Sequence, residues 1–304
     1  MQTGEQFAST TFASKTRYSS AVYSSAVARG CDSADDPRPF LPSDRERCVQ
    51  MAIVCGQASR YDDMVAHVMK LTATRAELST TEEGLMSEAF ARVAWQRRST
   101  WRALCAAEYA QEHATRGRFA DRASSLRAEA EEAFVVHCRQ VIAALEGLIP
   151  SASRPVSRIH YLLLLADHHR YMAEVTRGDG RLAHTKHALT TYQAAAATAG
   201  PAISAAHTVA LRLALGHATL VAELLGDYAR GAAMARAAFD NALAVESAET
   251  TASDADLDGS IRSSVENLEE RMGAMQLLAT AADRWSATAE ELSDGSSVSG
   301  DEEG

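Results

Sequence analysis

Residues 97–102 read Arg-Arg-Ser-Thr-Trp-Arg, and residues 170–174 read Arg-Tyr-Met-Ala-Glu. Both stretches lie inside long helical patterns. An arginine guanidinium is a planar fork of N–H donors that matches two oxygens of a carboxylate or a phosphate at once. If Arg98 and Arg170 meet across two helices with the Tyr171 hydroxyl beside them, the three form a donor set suited to a phosphate dianion. The competing reading has each arginine paired with a carboxylate on its own helix surface. Whether the two guanidiniums share a pocket separates these readings.

Other polar groupings carry less chemistry. Asp62 and Asp63 are neighbours on a helix and point apart, so they are not expected to act together as acid and base or to share a metal. His168, His169, His184 and His187 lack a further His/Cys/Asp cluster at ligand spacing, and packing or surface roles are expected for them. No Gly-rich phosphate loop follows a strand. No nucleophile, base and cofactor converge, so the expectation is a non-enzyme with no cofactor and no metal. Arg97-Arg98-Ser99-Thr100 has the form of a basophilic kinase site. A regulatory role for Thr100 is one reading, and a buried helix residue is the simpler one.

The elements that position these residues follow from composition. The chain has 304 residues, 46% of them hydrophobic, with aromatics at 6% and only six prolines. That suffices for a sizeable core and favours long helices over sheet. A formal net charge of −10 argues against bulk attraction to nucleic acid or an anionic membrane. Cys31, Cys48, Cys55, Cys105 and Cys138 are odd in number and form no CxxC pair. They read as reduced thiols of a cytoplasmic or nuclear protein. The apolar runs look too short for a membrane span; the one at residues 161–166 ends at Asp167.

Residues 1–45 read as a disordered extension. Its first 30 residues, with Lys15, Arg17 and Arg29 against Glu5, also faintly resemble a transit peptide. Helical periodicity then continues to about Ala287, broken at turn chemistry. Ser79-Thr80-Thr81-Glu82 has the form of an N-terminal cap. Pro150 to Pro155, Arg177 to Gly180, Gly200-Pro201 and Gly226-Asp227 are further breaks. The helices expected are roughly 46–56, 60–74, 82–112, 119–147, 156–177, 182–199, 203–225, 228–245 and 262–287. Short connections make neighbours antiparallel. Residues 247–260 read as an acidic loop and 288–304 as an acidic disordered tail. No fixed repeat period supports a tetratricopeptide array.

A series of short motifs between residues 47 and 287 adds a second line of inference. They are Arg60-Tyr-Asp-Asp-Met64, Ala76-Glu-Leu-Ser79, Arg97 to Arg102, Leu148-Ile-Pro-Ser-Ala-Ser153 and Asp167 to Val175. Leu213-Ala-Leu215, Ala237-Ala-Phe-Asp240, Met275-Gln-Leu-Leu278 and Trp285 follow. In this order and spacing the chain resembles the 14-3-3 family. The resemblance implies nine antiparallel helices forming a cup, dimerised through the first four. It also implies phosphate binding by Arg98, Arg170 and Tyr171, with Glu223 steadying the second arginine. The groove would carry Leu215, Leu277 and Trp285. Arg60, Tyr61 and Asp63 match the dimer face.

The chain departs from the family pattern at several of these positions. Ala91 stands where the resemblance implies a third phosphate-binding cation; Arg92 is next to it but about 100° around the helix. Gly216 and Ala281 replace peptide-clamping asparagines. Leu163 and Leu165 replace groove lysines, and Gly273 and Ala274 thin the apolar wall. Glu129 replaces a lysine that would pair with Asp63, so two carboxylates would face each other and repel. The function implied is a divergent phosphoserine/phosphothreonine-binding adaptor for client proteins. It would be a homodimer or a heterodimer with an ordinary family member, and would bind neither nucleic acid nor membrane. The alternative is a scaffold that acts through heterodimerisation or binds unphosphorylated segments. With the clamps missing, recognition should concentrate on the phosphate, with little dependence on flanking residues. Ala91→Lys and Gly216→Asn would be expected to restore lost contacts.

Overall fold

The computed structural model describes residues 41–112, 119–252 and 261–297. The expected extension up to residue 40, Cys31 within it, residues 253–260 of the acidic loop and the tail from residue 298 lie outside the described residues. Among the described residues there are nine α-helices and no strand. They are α1 (Pro42–Gln57), α2 (Tyr61–Thr72), α3 (Thr80–Glu112), α4 (Ala120–Leu148), α5 (Pro155–Val175), α6 (Gly178–Ala199), α7 (Thr208–Thr219), α8 (Tyr228–Ala252) and α9 (Ile261–Ser297). A 3-10 turn, Ile149–Ser151, extends α4, and a π-helical turn, Leu220–Leu224, extends α7.

The cap read at the start of α3 is present. The Ser79 N–H donates to Glu82 Oε2 at 2.8 Å, and the Glu82 N–H donates to Ser79 Oγ at 3.3 Å. Each partner thus satisfies an amide that the first helical turn would leave open. The same carboxylate accepts from Nε and Nη2 along one edge of the Arg45 guanidinium of α1, at 2.6 and 2.7 Å. Local capping and tertiary docking therefore share one side chain. Burial pushes the Glu82 pKa up, but the Arg45 and Ser79 hydrogen bonds outweigh it and the net shift is downward.

Several boundaries differ from the sequence expectation. Helix α1 starts at Pro42, inside the segment read as disordered, because proline suits a first helical turn that needs no N–H. Helix α7 starts at Thr208 rather than near 203: residues 202 and 203 still hydrogen-bond to Ala199, and the His207 side chain caps the Val209 N–H at 3.2 Å. Helix α6 begins four residues early, while α8 and α9 run to Ala252 and Ser297.

Helices α3 and α5 run parallel, and both pack against α4. Their register is tied along the length. Tyr161 donates to Glu83 at 2.8 Å, the His160 ring meets Ser87 Oγ at 3.1 Å, and Arg98 reaches Glu174 at 2.7 Å. Arg154 clasps the start of both helices through the Leu78 carbonyl at 2.7 Å and Glu83 at 2.9 Å. One core joins α1 to α5 through Met64, Leu71, Leu85, Phe90, Leu145 and Leu164. A second joins α7, α8 and α9 around Leu278 and Trp285.

Helix α4 with its 3-10 extension, Ala120–Ser151, contains an 18-residue window of mean hydropathy 1.3. By length and composition it is apolar enough to cross a membrane, contrary to the expectation that no segment approaches that. Here Phe134, Cys138, Val141, Leu145 and Leu148 of this helix are buried against other helices.

Because Glu82 serves cap and clasp together, Glu82→Ala should lower unfolding free energy by about 2–3 kcal/mol. Urea denaturation at neutral pH measures this; a change below about 0.5 kcal/mol would rule out the double role.

Candidate functional site

Helical spacing puts Arg98 and Arg102 one turn apart on one face of α3. Both reach across to Glu174 of α5. Arg98 donates from Nε and Nη2 to the two carboxylate oxygens, each at 2.7 Å. Arg102 Nη2 donates to Oε2 at 3.2 Å, and Arg170 Nη1 to Oε1 at 3.5 Å. Arg98 and Arg170 therefore converge on one oxygen. The Tyr171 ring lies beneath both, its centroid 5.5 Å from the Arg98 guanidinium carbon and 4.7 Å from that of Arg170. That ring is seated on Phe134, at 6.1 Å between centroids. The two sequence readings are thus both partly realised. Arg98 and Arg170 meet at a carboxylate across the two helices, and Arg170 also pairs with acids of its own helix, Asp167 at 3.1 Å and Glu174.

Charge follows from that arrangement. Three arginines face two carboxylates, Asp167 and Glu174, leaving a net of +1. The Glu174 side chain is only 11% exposed. Burial pushes its pKa up, but Arg98, Arg170 and Arg102 together hold it below the ordinary carboxylate value. Arg102 is also shifted downward, first by desolvation and then by repulsion from Arg98 and Arg170, which in its case disfavours the charged form. The Glu223 carboxylate acts on Arg102 in the opposing sense, so the α3 wall and the wall formed after α7 lie within electrostatic range.

Glu174 and Arg102 are functional candidates that the sequence reading left without a role. The signal for Glu174 was its position four residues after Arg170, where a helix brings side chains together. The signal for Arg102 was the same spacing from Arg98. Arg92 does not compensate for Ala91: its guanidinium sits 5.4 Å above the Tyr61 ring of α2 and 3.9 Å from Glu88.

The opposite wall requires corrections. Glu223 does not steady Arg170; it accepts from Arg284 of α9 at 2.7 Å. The π-helical turn holding Glu223, closed by Leu225 N–H to the Leu220 carbonyl at 3.1 Å, sets its direction. Arg170 is steadied by Asp167, Glu174 and the Tyr192 hydroxyl, which accepts from Arg170 Nε at 3.2 Å. Leu163 and Leu165 do not line an open groove but are buried in the cores around α5. Trp285 is 2% exposed, with its indole N–H buried and unpartnered among the described residues. Leu215 of α7 and Ala281 of α9 are half-buried at the edge of the same core, Ala274 is buried within it, and Leu277 and Gly273 are half-buried on α9.

Gly216 is filled from outside. A Cβ there would lie 2.8 Å from the Tyr192 hydroxyl and 3.0 Å from its ring. Tyr192 is fully buried and stacks on His217, with centroids 5.7 Å apart. Its hydroxyl also donates to Asp167. The ring cannot readily withdraw, so Gly216→Asn is not a simple restoration.

Among the residues expected at a dimer face, Arg60 pairs with Asp63 of its own chain at 2.5 Å. Glu129 accepts from Ser125 at 3.1 Å and lies 4.0 Å from Arg122. Tyr61 lies under Arg92. Thr100 is exposed rather than buried, its hydroxyl donating to the Gln96 carbonyl at 2.9 Å. His168 is a packing residue, enclosed by Phe90, His137 and Tyr171. His169 meets His184 with Nδ1 atoms 3.0 Å apart, and its ring stacks on His187 at 5.2 Å. Among the described residues no group of three or more His, Cys, Asp or Glu side chains is arranged to hold a metal.

Comparison with known proteins agrees with this architecture. Residues 51–286 match the family model described as 14-3-3 protein. The chain is 35% identical to 14-3-3 protein zeta of Bombyx mori over 202 residues, covering 66% of this chain and 81% of that protein. It is 35% identical to a 14-3-3-like protein of Chlamydomonas reinhardtii over 204 residues, covering 66% and 79%. To 14-3-3-like protein 2 of Caenorhabditis elegans it is 34% identical over 201 residues, covering 66% and 80%.

Two outcomes test the geometry. Gly216→Asn should destabilise the fold by about 1–3 kcal/mol through overpacking against Tyr192, read as a lower thermal midpoint; an unchanged midpoint would show that the ring yields. The second concerns acid. Desolvation, with His184, His187 and His168 nearby, depresses His169 to about 4 from 6.5. Arg139 of α4 adds to the depression of His184, and no acid offsets either ring. A depressed histidine favours the folded state fully above pH 6.5 and less as pH falls toward 4. Between pH 6.5 and 5 His169 should therefore withdraw about 2 kcal/mol. Urea titrations at both pH values should show His169→Phe losing correspondingly less stability than the native chain.

Proposed function

Since the chain belongs to the 14-3-3 family, whose members are protein-binding adaptors, we propose that it binds client proteins at a phosphorylated serine or threonine. The observation that supports this reading is the convergence of Arg98 and Arg170 on one carboxylate oxygen, with Tyr171 beneath both and Arg102 alongside. Guanidiniums already oriented toward an oxyanion need little rearrangement to accept another. A phosphate would take the N–H groups that Glu174 leaves, or displace part of the Glu174 contact. The family also supports dimerisation, and the segments carrying Arg60, Tyr61, Asp63 and Glu129 are the proposed contact. A cytoplasmic location, with access to the nucleus, fits this role. Neither nucleic acid nor membrane is required by it.

A second reading is favoured by Glu174 itself. Because this carboxylate already occupies the Arg98 fork, the site can be regarded as self-neutralised. The chain would then act as a scaffold, through dimerisation with an ordinary family member or through unphosphorylated segments.

A phosphoserine peptide and its unphosphorylated twin, titrated against the native chain by calorimetry, separate the two. The adaptor reading expects affinity for the phosphorylated peptide in the micromolar range, about −8 kcal/mol, and a weaker twin. Arg98→Ala should cut phosphopeptide affinity by about 10- to 100-fold, as loss of a charge-assisted contact of roughly 1.5–3 kcal/mol requires. Equal binding of both peptides to the native chain would instead support the scaffold.

A further inference from the structure

Trp95 is 45% exposed, an unusual place for an indole in a chain whose Trp285 is 2% exposed and whose Trp101 is half-buried and hydrogen-bonded to Glu131. Its position on α3 is informative. It precedes Arg98 by three residues and Arg102 by seven. At 3.6 residues per turn these offsets are about 60° and about 20° around the helix, and the rises are about 4.5 and about 10.5 Å. Trp95 therefore continues the stripe whose other members are the two arginines that reach Glu174. The stripe's next member toward the N-terminus is Ala91, whose small side chain leaves that flank of the indole open. Four neighbouring residues of α3 point elsewhere: Phe90, Val93 and Ala94 into the cores, and Arg92 toward Tyr61. The indole forms no hydrogen bond and no ring contact with the described residues.

Resting on the phosphopeptide reading above, we infer that Trp95 selects a client residue close in sequence to the phosphorylated one and takes an apolar side chain there, proline or leucine. The chemistry follows from the neighbours. An exposed aromatic face attracts either cations or apolar groups. Arg98 and Arg102 lie on the same stripe and disfavour a client lysine or arginine over the ring. Glu88, two turns before Trp95 on α3, is paired with Arg92. An apolar residue meets no such opposition and removes exposed indole surface from water. An extended peptide advances about 3.3 Å per residue, so the residue concerned stands within roughly three positions of the phosphate. This revises the expectation of little flank dependence: the lost clamps remove hold on the peptide backbone, while Trp95 adds hold on one side chain.

The test uses a phosphoserine peptide flanked by alanines, and a set in which leucine or proline replaces each alanine in turn within three positions of the phosphate. With the native chain, one position should give about fivefold tighter binding, together with a blue shift of tryptophan emission. Trp95→Ala should bring that affinity ratio to near one. Trp95→Phe, which keeps an apolar ring, should retain the ratio and lose the emission shift. A ratio unchanged in Trp95→Ala overturns the inference and leaves the phosphate reading standing. A ratio unchanged in Trp95→Ala together with weakened self-association in analytical ultracentrifugation overturns it in favour of a subunit contact. Equal binding of the phosphorylated and unphosphorylated peptides by the native chain removes the phosphate reading, and the inference with it.

Discussion

The Glu174 carboxylate is the constraint on which the site depends. Two helices from distant parts of the chain bring three arginines to it. Like charges at such separations repel, and the depressed pKa of Arg102 reflects that repulsion along with desolvation. Without an anion between them, Arg98 and Arg170 could not both remain turned inward. The carboxylate in turn could not stay ionised in a largely buried position without the arginines. Each therefore requires the other, and the pairing sets the far end of the parallel α3–α5 register that Tyr161 and Glu83 begin. The residue that orients the donors also competes for them, so a ligand at this site gains only the difference between its own contacts and those of Glu174.

Tyr192 extends the constraint to the opposite wall. Its hydroxyl joins Asp167 and Arg170, and its ring fills the space a side chain at position 216 would need. The position read from the sequence as a missing clamp is thus part of a packed unit. Gly216, Tyr192, Asp167 and Arg170 are coupled, and the absence of a side chain at 216 is matched by the ring lying against it.

The fold was largely legible because its signals are local. Ser79 and Glu82 form the cap that their spacing implies, and the long helices follow the apolar period. Boundaries near Pro42 and Thr208 moved because capping by proline or His207 competes with periodicity over single residues. In the site, helical angles worked within a helix: Arg92, about 100° from position 91, does turn to α2. They failed where depth or a change of helical phase decides. Leu163 and Leu165 stand at positions implied to face a groove, yet an apolar side chain without a charge to solvate is drawn into the core. Glu223 sits in a π-helical turn, which rotates the following side chains relative to an α-helical count. Neither depth nor that phase change is written in a motif.

The charge balance shapes how any phosphorylated client would be held. The chain carries a formal net charge of −10, whereas the arginine cluster and its two acids sum to +1. At long range an acidic protein repels an anionic segment, so electrostatic steering contributes little to association. Screening at physiological ionic strength confines charge effects to about 8 Å, and within that distance the oriented guanidiniums dominate. Under the phosphopeptide reading, selectivity would then reside in how slowly the contact breaks rather than in how often it is found. Added salt acts on both terms in opposite directions, weakening the exposed part of the fork while screening the repulsion around it. A site built this way is less sensitive to ionic strength than one relying on a broad basic groove.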